Sequence, residues 1–107
     1  VSHLYETGLV EAEAIGQTEC FTGALQFART EGIVPAPEPT HAIAAAIREA
    51  NRAKEAGEER VILTALCGHG HLDLAAYESF LSGEMVDYDL SDDAIAEAMA
   101  QVPVIDA

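Results

Sequence analysis

Arg60-Val61-Ile62-Leu63-Thr64-Ala65-Leu66-Cys67-Gly68-His69-Gly70-His71-Leu72-Asp73 sets an apolar run directly against a glycine loop carrying a thiol, two imidazoles and a carboxylate. A short, nearly unbroken apolar run is what a strand buried on both faces requires, and such strands belong to parallel sheets covered by helices. Ligands of those sheets gather beyond the carboxyl ends of the strands, where residues 67–73 would lie. Gly68 and Gly70 let the backbone come close to a bound molecule, which makes this loop the candidate site.

The flanking sequence supplies the helices that would cover such a sheet. Upstream, Leu9-Val10-Glu11-Ala12-Glu13-Ala14-Ile15 alternates apolar and acidic residues and predicts a short edge strand. Phe21, Ala24, Leu25 and Ala28 then fall at helical spacing, predicting a helix over 18–31 with Thr18 as cap and Gly32 as stop. Pro35, Pro37 and Pro39 predict a rigid connector over 33–39, because each lacks an amide donor and restrains the residue before it. Thr40 is the expected cap of a long helix with Ile43, Ala46, Ile47, Ala50 and Ala53 as its apolar stripe and Gly57 at its end. Beyond the glycine loop, Asp73 is the expected cap of a helix carrying Leu74, Tyr77, Phe80 and Leu81, closed by Gly83. Ser91 is the expected cap of a last helix, with Asp92 and Asp93 favoured at its positive end. The order strand, helix, helix, strand, helix, helix predicts an α/β fold with a parallel sheet, in a single domain over 1–107. Two strands make a poor sheet, so further strands are expected either within this stretch, without a clear signal, or from sequence outside it.

Composition narrows the function. The 107 residues carry 19 Asp and Glu against 5 Lys and Arg, a formal net charge of -14. Such a surface repels phosphates and lacks the basic clusters that neutralise them, so nucleic-acid binding is excluded. Half of the residues are nevertheless apolar, which reads as a folded domain with a heavily hydrated acidic surface. A salt-rich, halophilic cytoplasm is the expected setting, since the Debye length falls to about 3 Å at 1 M salt and screens the self-repulsion. Cys20 and Cys67 are too few for a disulfide scaffold and fit a reducing interior. No apolar run approaches the roughly 18 residues of a membrane span. The chain begins with Val1 on a polar stretch resembling neither a signal peptide nor a targeting helix, and a processed or excised segment is expected.

Two residue sets invite a chemical reading. Cys67, His69, His71 and Asp73 alternate, so in an extended loop all four would face one side and could surround a metal ion as a small metal-binding module. The competing reading has the histidines at element ends or in solvent and Cys67 as a small apolar group. Glu31 ends a helix, where a carboxylate is poorly placed against the dipole, and Gly32 and an Ile33-Val34 pair follow at once. A helix-end Glu in solvent and a functional acid are equally compatible with that position.

Phe27-Ala28-Arg29-Thr30-Glu31-Gly32-Ile33-Val34-Pro35-Ala36-Pro37-Glu38, then Thr40-His41-Ala42-Ile43, then Leu66 through Asp73, resemble in order the C-terminal part of the tryptophan synthase beta-chain family. The resemblance is closest to its divergent, archaeal-type second branch, the tryptophan synthase beta-like proteins. It implies the C-terminal part of a three-layer αβα, type II cofactor domain that uses pyridoxal phosphate to replace the β-substituent of serine or phosphoserine with indole, giving tryptophan. It implies that Cys67 faces the pyridine nitrogen of the cofactor, that Gly68 and Gly70 give the ring room, and that Glu31 with Gly32 stands near the ring's hydroxyl side. A neutral thiol cannot stabilise a protonated pyridinium as a carboxylate does, so the ring would be a restrained electron sink. The partners implied are the missing N-terminal part of the same enzyme, a second copy in a homodimer, and an alpha-type subunit, in the cytoplasm.

The family's Schiff-base lysine and glycine-rich phosphate loop have no counterpart here: Lys54 is the single lysine and lies in a charged helix between Ala53 and Glu55. This stretch alone is therefore expected to be inactive, with a noncatalytic interaction domain as the other nonmetal reading. Incubation with pyridoxal phosphate followed by borohydride should leave Lys54 unmodified by mass spectrometry; a cofactor-sized adduct on Lys54 would overturn the expectation.

Overall fold

Gly16 and Ala36 mark the starts of the two helices on which everything else rests. The computed structural model describes residues 1–88 and 90–102. Its helices are α1 (Ser2–Glu6), α2 (Gln17–Glu31), α3 (Pro37–Ala56), α4 (Leu74–Leu81) and α5 (Asp92–Ala100), with a 3-10 turn at Gly70–Leu72 before α4. The expected single domain over 1–107 also includes Asp89 and residues 103–107, which lie outside the described residues.

α2 and α3 pack because small residues let their backbones meet. A Cβ on Gly23 would stand 3.6 Å from the Ala44 Cα and 3.4 Å from the Ile47 Cδ1, so this glycine is a contact surface. Gly32 and Gly57 end the two helices in the left-handed conformation, with φ of 71° and 67°. Glycine adopts that geometry without a Cβ penalty, as the sequence led one to expect. α4 closes over the start of α2: Phe21 meets Tyr77 edge-on at 5.0 Å between ring centroids and stacks on Phe80 at 5.6 Å. Phe21, Ala24 and Tyr77 are the buried centre of this cluster, flanked by Leu25, Val34 and Phe80.

Capping differs from expectation at three of four helices. α2 starts at Gln17, and Thr18 caps nothing with its own side chain. Instead the distant Asp87 carboxylate accepts the Thr18 amide at 3.0 Å and the Thr18 hydroxyl, while the Gln17 side chain donates to the Val86 carbonyl at 2.6 Å. A carboxylate from elsewhere thus satisfies the open amide end of α2. α3 begins three residues before Thr40, because a proline is tolerated in the first turn, where its missing donor would be unpaired anyway. The Thr40 hydroxyl turns back to the Pro37 carbonyl. Asp73 occupies the N-cap position of α4 without a side-chain bond, whereas Ser91 caps α5 as expected, accepting the Ala94 amide at 3.2 Å.

Neither predicted strand is formed among the described residues. Residues 9–15 are an exposed strap, and Glu13 ties it to α3 by accepting from Arg48 at 3.2 Å and Arg52 at 2.6 Å. Arg48 also grips Glu19 of α2 at 2.6 Å, and Arg60 joins Glu49 at 3.0 Å to Glu58 at 2.6 Å. Residues 60–66 run past the α2–α3 pair, with Ile62 and Thr64 lining a groove with it and Val61 and Leu63 100% and 96% exposed. A strand needs a neighbour to take up its alternate amides and carbonyls, and none stands beside either segment among the described residues. The bridge pairing that does form is antiparallel, between Pro35 and His69. The radius of gyration is 17.2 Å, against roughly 13 Å for a closed domain of about 100 residues. No helix among the described residues is long and apolar enough to cross a membrane.

The bonds from Thr18 and Gln17 hold the Asp87 carboxyl below its ordinary range. A depressed acid stabilises the fold fully above its unfolded value, near pH 3.9, and that contribution is lost as pH falls through the lower folded value. Asp87→Asn should therefore lower the melting temperature at neutral pH and converge with the parent chain in strong acid. Parallel melting curves offset equally at every pH would show that the charge of Asp87 is irrelevant.

Candidate functional site

The glycine loop and the proline connector form one joint, and it begins from backbone. The Ala36 amide donates to the Gly68 carbonyl at 3.1 Å, and the Gly70 amide donates to the Val34 carbonyl at 2.8 Å. Pro35 is buried between these bonds, and its carbonyl accepts the Tyr77 hydroxyl at 2.6 Å. A Cβ on Gly70 would lie 2.5 Å from the Pro35 oxygen, 2.9 Å from the Val34 Cγ1 and 3.0 Å from the Tyr77 Cε2. A Cβ on Gly68 would lie 3.0 Å from the Ala36 Cβ. The space next to both glycines is occupied by the connector, so their small size serves this close approach, where the resemblance had implied room for a ring.

The joint sets Gly68 beside Ala36 at the start of α3, while Glu31 and Gly32 lie before Val34 on the other side of the bridge, so the structure does not bring the two pairs of predicted site residues together. Glu31 and Gly32 sit exposed at the C-terminal end of α2, just before the connector, and Cys67 sits exposed just before the bridge. Glu31 rims a groove of about 320 Å³ between α2 and α3, floored by Phe27, Ile43 and Ile47 and roofed by Ile62 and Thr64. Cys67 and Gly68 are absent from the lining of that groove. Here an apolar floor meets one carboxylate, an arrangement suited to a flat, mostly apolar molecule with a polar edge.

The metal reading loses its geometry. Among the described residues no three His, Cys, Asp or Glu side chains stand together as a ligand set. His69 instead accepts the His71 amide on Nδ1 at 3.3 Å, and the two rings lie 4.8 Å apart. His69 thus acts as cap of the 3-10 turn, the element-end role that was the competing reading.

Sequence reasoning missed two groups. Cys20 is fully buried with Sγ 3.2 Å from the His41 Nδ1, and burial pushes its thiol pKa up, only partly opposed by Thr40. Tyr77 was visible only as an apolar helix residue, yet its hydroxyl is the polar anchor of the joint; burial pushes its pKa up as well. A tyrosine in an apolar stripe opposite a proline-rich connector was the available signal, since a buried hydroxyl needs an acceptor.

No family model matches the chain. Over most of its length the chain is homologous to tryptophan synthase beta chains. It is 59% identical over 87 residues to tryptophan synthase beta chain 2 of Aquifex aeolicus, covering 81% of this chain and 20% of that protein. Against the protein of the same name from Methanosarcina mazei it is 59% identical over 85 residues, 79% of this chain and 19% of that one. Against that of Pyrococcus furiosus it is 48% identical over 103 residues, 96% of this chain and 23% of that one. The chain thus spans about a fifth of the length of the relatives it matches.

Gly70→Ala should destabilise the chain by roughly 1–3 kcal/mol or more, the cost of forcing a methyl group against packed backbone. Urea denaturation checks it; a midpoint equal to that of the parent would mean that the joint opens freely.

Proposed function

We propose that this chain is the C-terminal part of a pyridoxal-phosphate-dependent tryptophan synthase beta-like enzyme, which joins indole to the β-carbon of serine or phosphoserine. The observation that carries the reading is identity of 59% over 87 residues, a stretch that makes up 20% of the relative's length. The structure supports it from a second direction. Val61 and Leu63 stand fully in water on one side of a segment whose other side, Ile62 and Thr64, faces the groove between α2 and α3. Leaving two large aliphatic side chains so exposed forfeits about 1.5–3 kcal/mol each relative to burial. In the whole enzyme residues 60–66 become a strand of a parallel sheet, with helices α2 and α3 on one face and the remaining chain on the other.

The residues present fit one wall of a cofactor site. The donor set is an exposed thiol at Cys67, the backbone of Gly68 beside it, and the Glu31 carboxylate with Gly32 at the end of α2. When bound, pyridoxal phosphate supplies an electron sink for β-replacement. Cys67 would hold the cofactor through its thiol, and Glu31 would orient polar groups of the cofactor or substrate. The groove beside Glu31 offers apolar walls to an aromatic acceptor. The lysine and the phosphate loop come from the rest of the enzyme, which also carries the contacts to a second copy and to an alpha-type subunit. The acidic surface and net charge of -14 fit a halophilic source.

A chimera tests the reading. The matching segment of the Aquifex aeolicus relative is replaced by this chain, and tryptophan formation from serine and indole is followed in high salt. The chimera should bind pyridoxal phosphate and turn over, while this chain alone does neither. Cys67→Ala in the chimera should weaken cofactor binding about tenfold, or 1.4 kcal/mol. A folded chimera that takes up no pyridoxal phosphate would refute the reading.

A further inference from the structure

Pro35 has no amide hydrogen, and the two bonds of the bridge go to the carbonyls of Val34 and Gly68. The Pro35 carbonyl is therefore left inside the protein with no backbone donor among the described residues, and the Tyr77 hydroxyl fills that need at 2.6 Å. That carbonyl and the Ala36 amide belong to one planar peptide unit and point to opposite sides of it. Tyr77 pulls on one end of the plane, and at the other end the Ala36 N–H donates to the Gly68 carbonyl at 3.1 Å. The Tyr77 ring cannot swing away to release it, because Phe21 holds it edge-on at 5.0 Å and the residue is only 5% exposed.

We propose that Tyr77 is a positioning residue of the cofactor wall: by fixing the Pro35–Ala36 peptide plane it sets where Gly68, and Cys67 before it, stand relative to the Glu31–Gly32 end of α2. The inference rests on the function proposed above and adds to it a residue that touches neither cofactor nor substrate. Tyr77 sits on α4, so the position of that helix is transmitted through one hydroxyl and one peptide plane to Gly68 and the Cys67 thiol before it. Gly70 is the complement of this device, since any side chain there would push the same carbonyl off the hydroxyl.

The test is Tyr77→Phe in the full-length enzyme, which keeps the ring against Phe21 and removes a single oxygen. Hydrogen exchange should show the Ala36 amide exchanging at least about tenfold faster than in the parent, because its plane is no longer held. At saturating pyridoxal phosphate the absorption maximum of the bound cofactor should shift, with affinity about tenfold lower, the equivalent of 1.4 kcal/mol. A lower melting temperature accompanied by an unchanged saturated spectrum and unchanged affinity would make Tyr77 structural only and overturn the proposal. Unchanged Ala36 exchange overturns it whatever the cofactor does. If the parent enzyme itself takes up no pyridoxal phosphate, the underlying reading falls, while the exchange measurement still decides whether Tyr77 fixes the plane.

Discussion

The approach of the Gly70 backbone to the Pro35 carbonyl is the constraint on which the rest of this structure depends. A methyl group at Gly70 would sit 2.5 Å from that oxygen, a distance no packed carbon tolerates. With hydrogen alone at that position, the amides of Ala36 and Gly70 reach the carbonyls of Gly68 and Val34, and the loop is stitched to the connector. The stitch places α4 over α2, lets Tyr77 meet both Phe21 and Pro35, and sets Gly68, with Cys67 before it, beside the Ala36 start of α3. One residue without a side chain therefore links the packing of the helices to the layout of the candidate site.

Charge organises the periphery by a separate logic. Three of the five basic residues, Arg48, Arg52 and Arg60, are engaged by Glu13, Glu19, Glu49 and Glu58, tying the 9–15 strap, α2, α3 and the start of the 60–66 segment together. Glu13 and Glu19 are held below the ordinary carboxylate range by their bonds to these arginines, and the Arg48 guanidinium is pushed up in return. All of these groups face solvent, where each pair contributes little and salt screens it. The network aligns segments more than it stabilises them, and most of the acidic surface is left to hydration.

The exposed row of Val61 and Leu63 gives the chain its relation to its relatives. The chain matches about a fifth of longer proteins, and in it Val61 and Leu63 stand bare while Ile62 is less exposed. A helix makes its backbone bonds internally, whereas a strand needs a neighbouring strand for its own. The expected sheet and the observed helices follow from that difference in where hydrogen bonds are made.

By itself the sequence determined the helices over residues 17–31 and 37–56 within a few positions, their glycine stops at Gly32 and Gly57, the Ser91 cap, and the kinship carried by the blocks around Glu31 and Cys67. These are local properties: periodicity, left-handed glycines and residue order need no distant partner to be read. Only the tertiary structure decided that Asp87, 69 residues away, caps α2, that the glycines of the loop serve the connector, and that Tyr77 is a polar anchor. Each of these depends on groups far apart in the chain meeting at hydrogen-bond distance. Residue spacing cannot register such meetings, because a carboxylate, a missing Cβ or a hydroxyl acquires its role only from what folding places beside it.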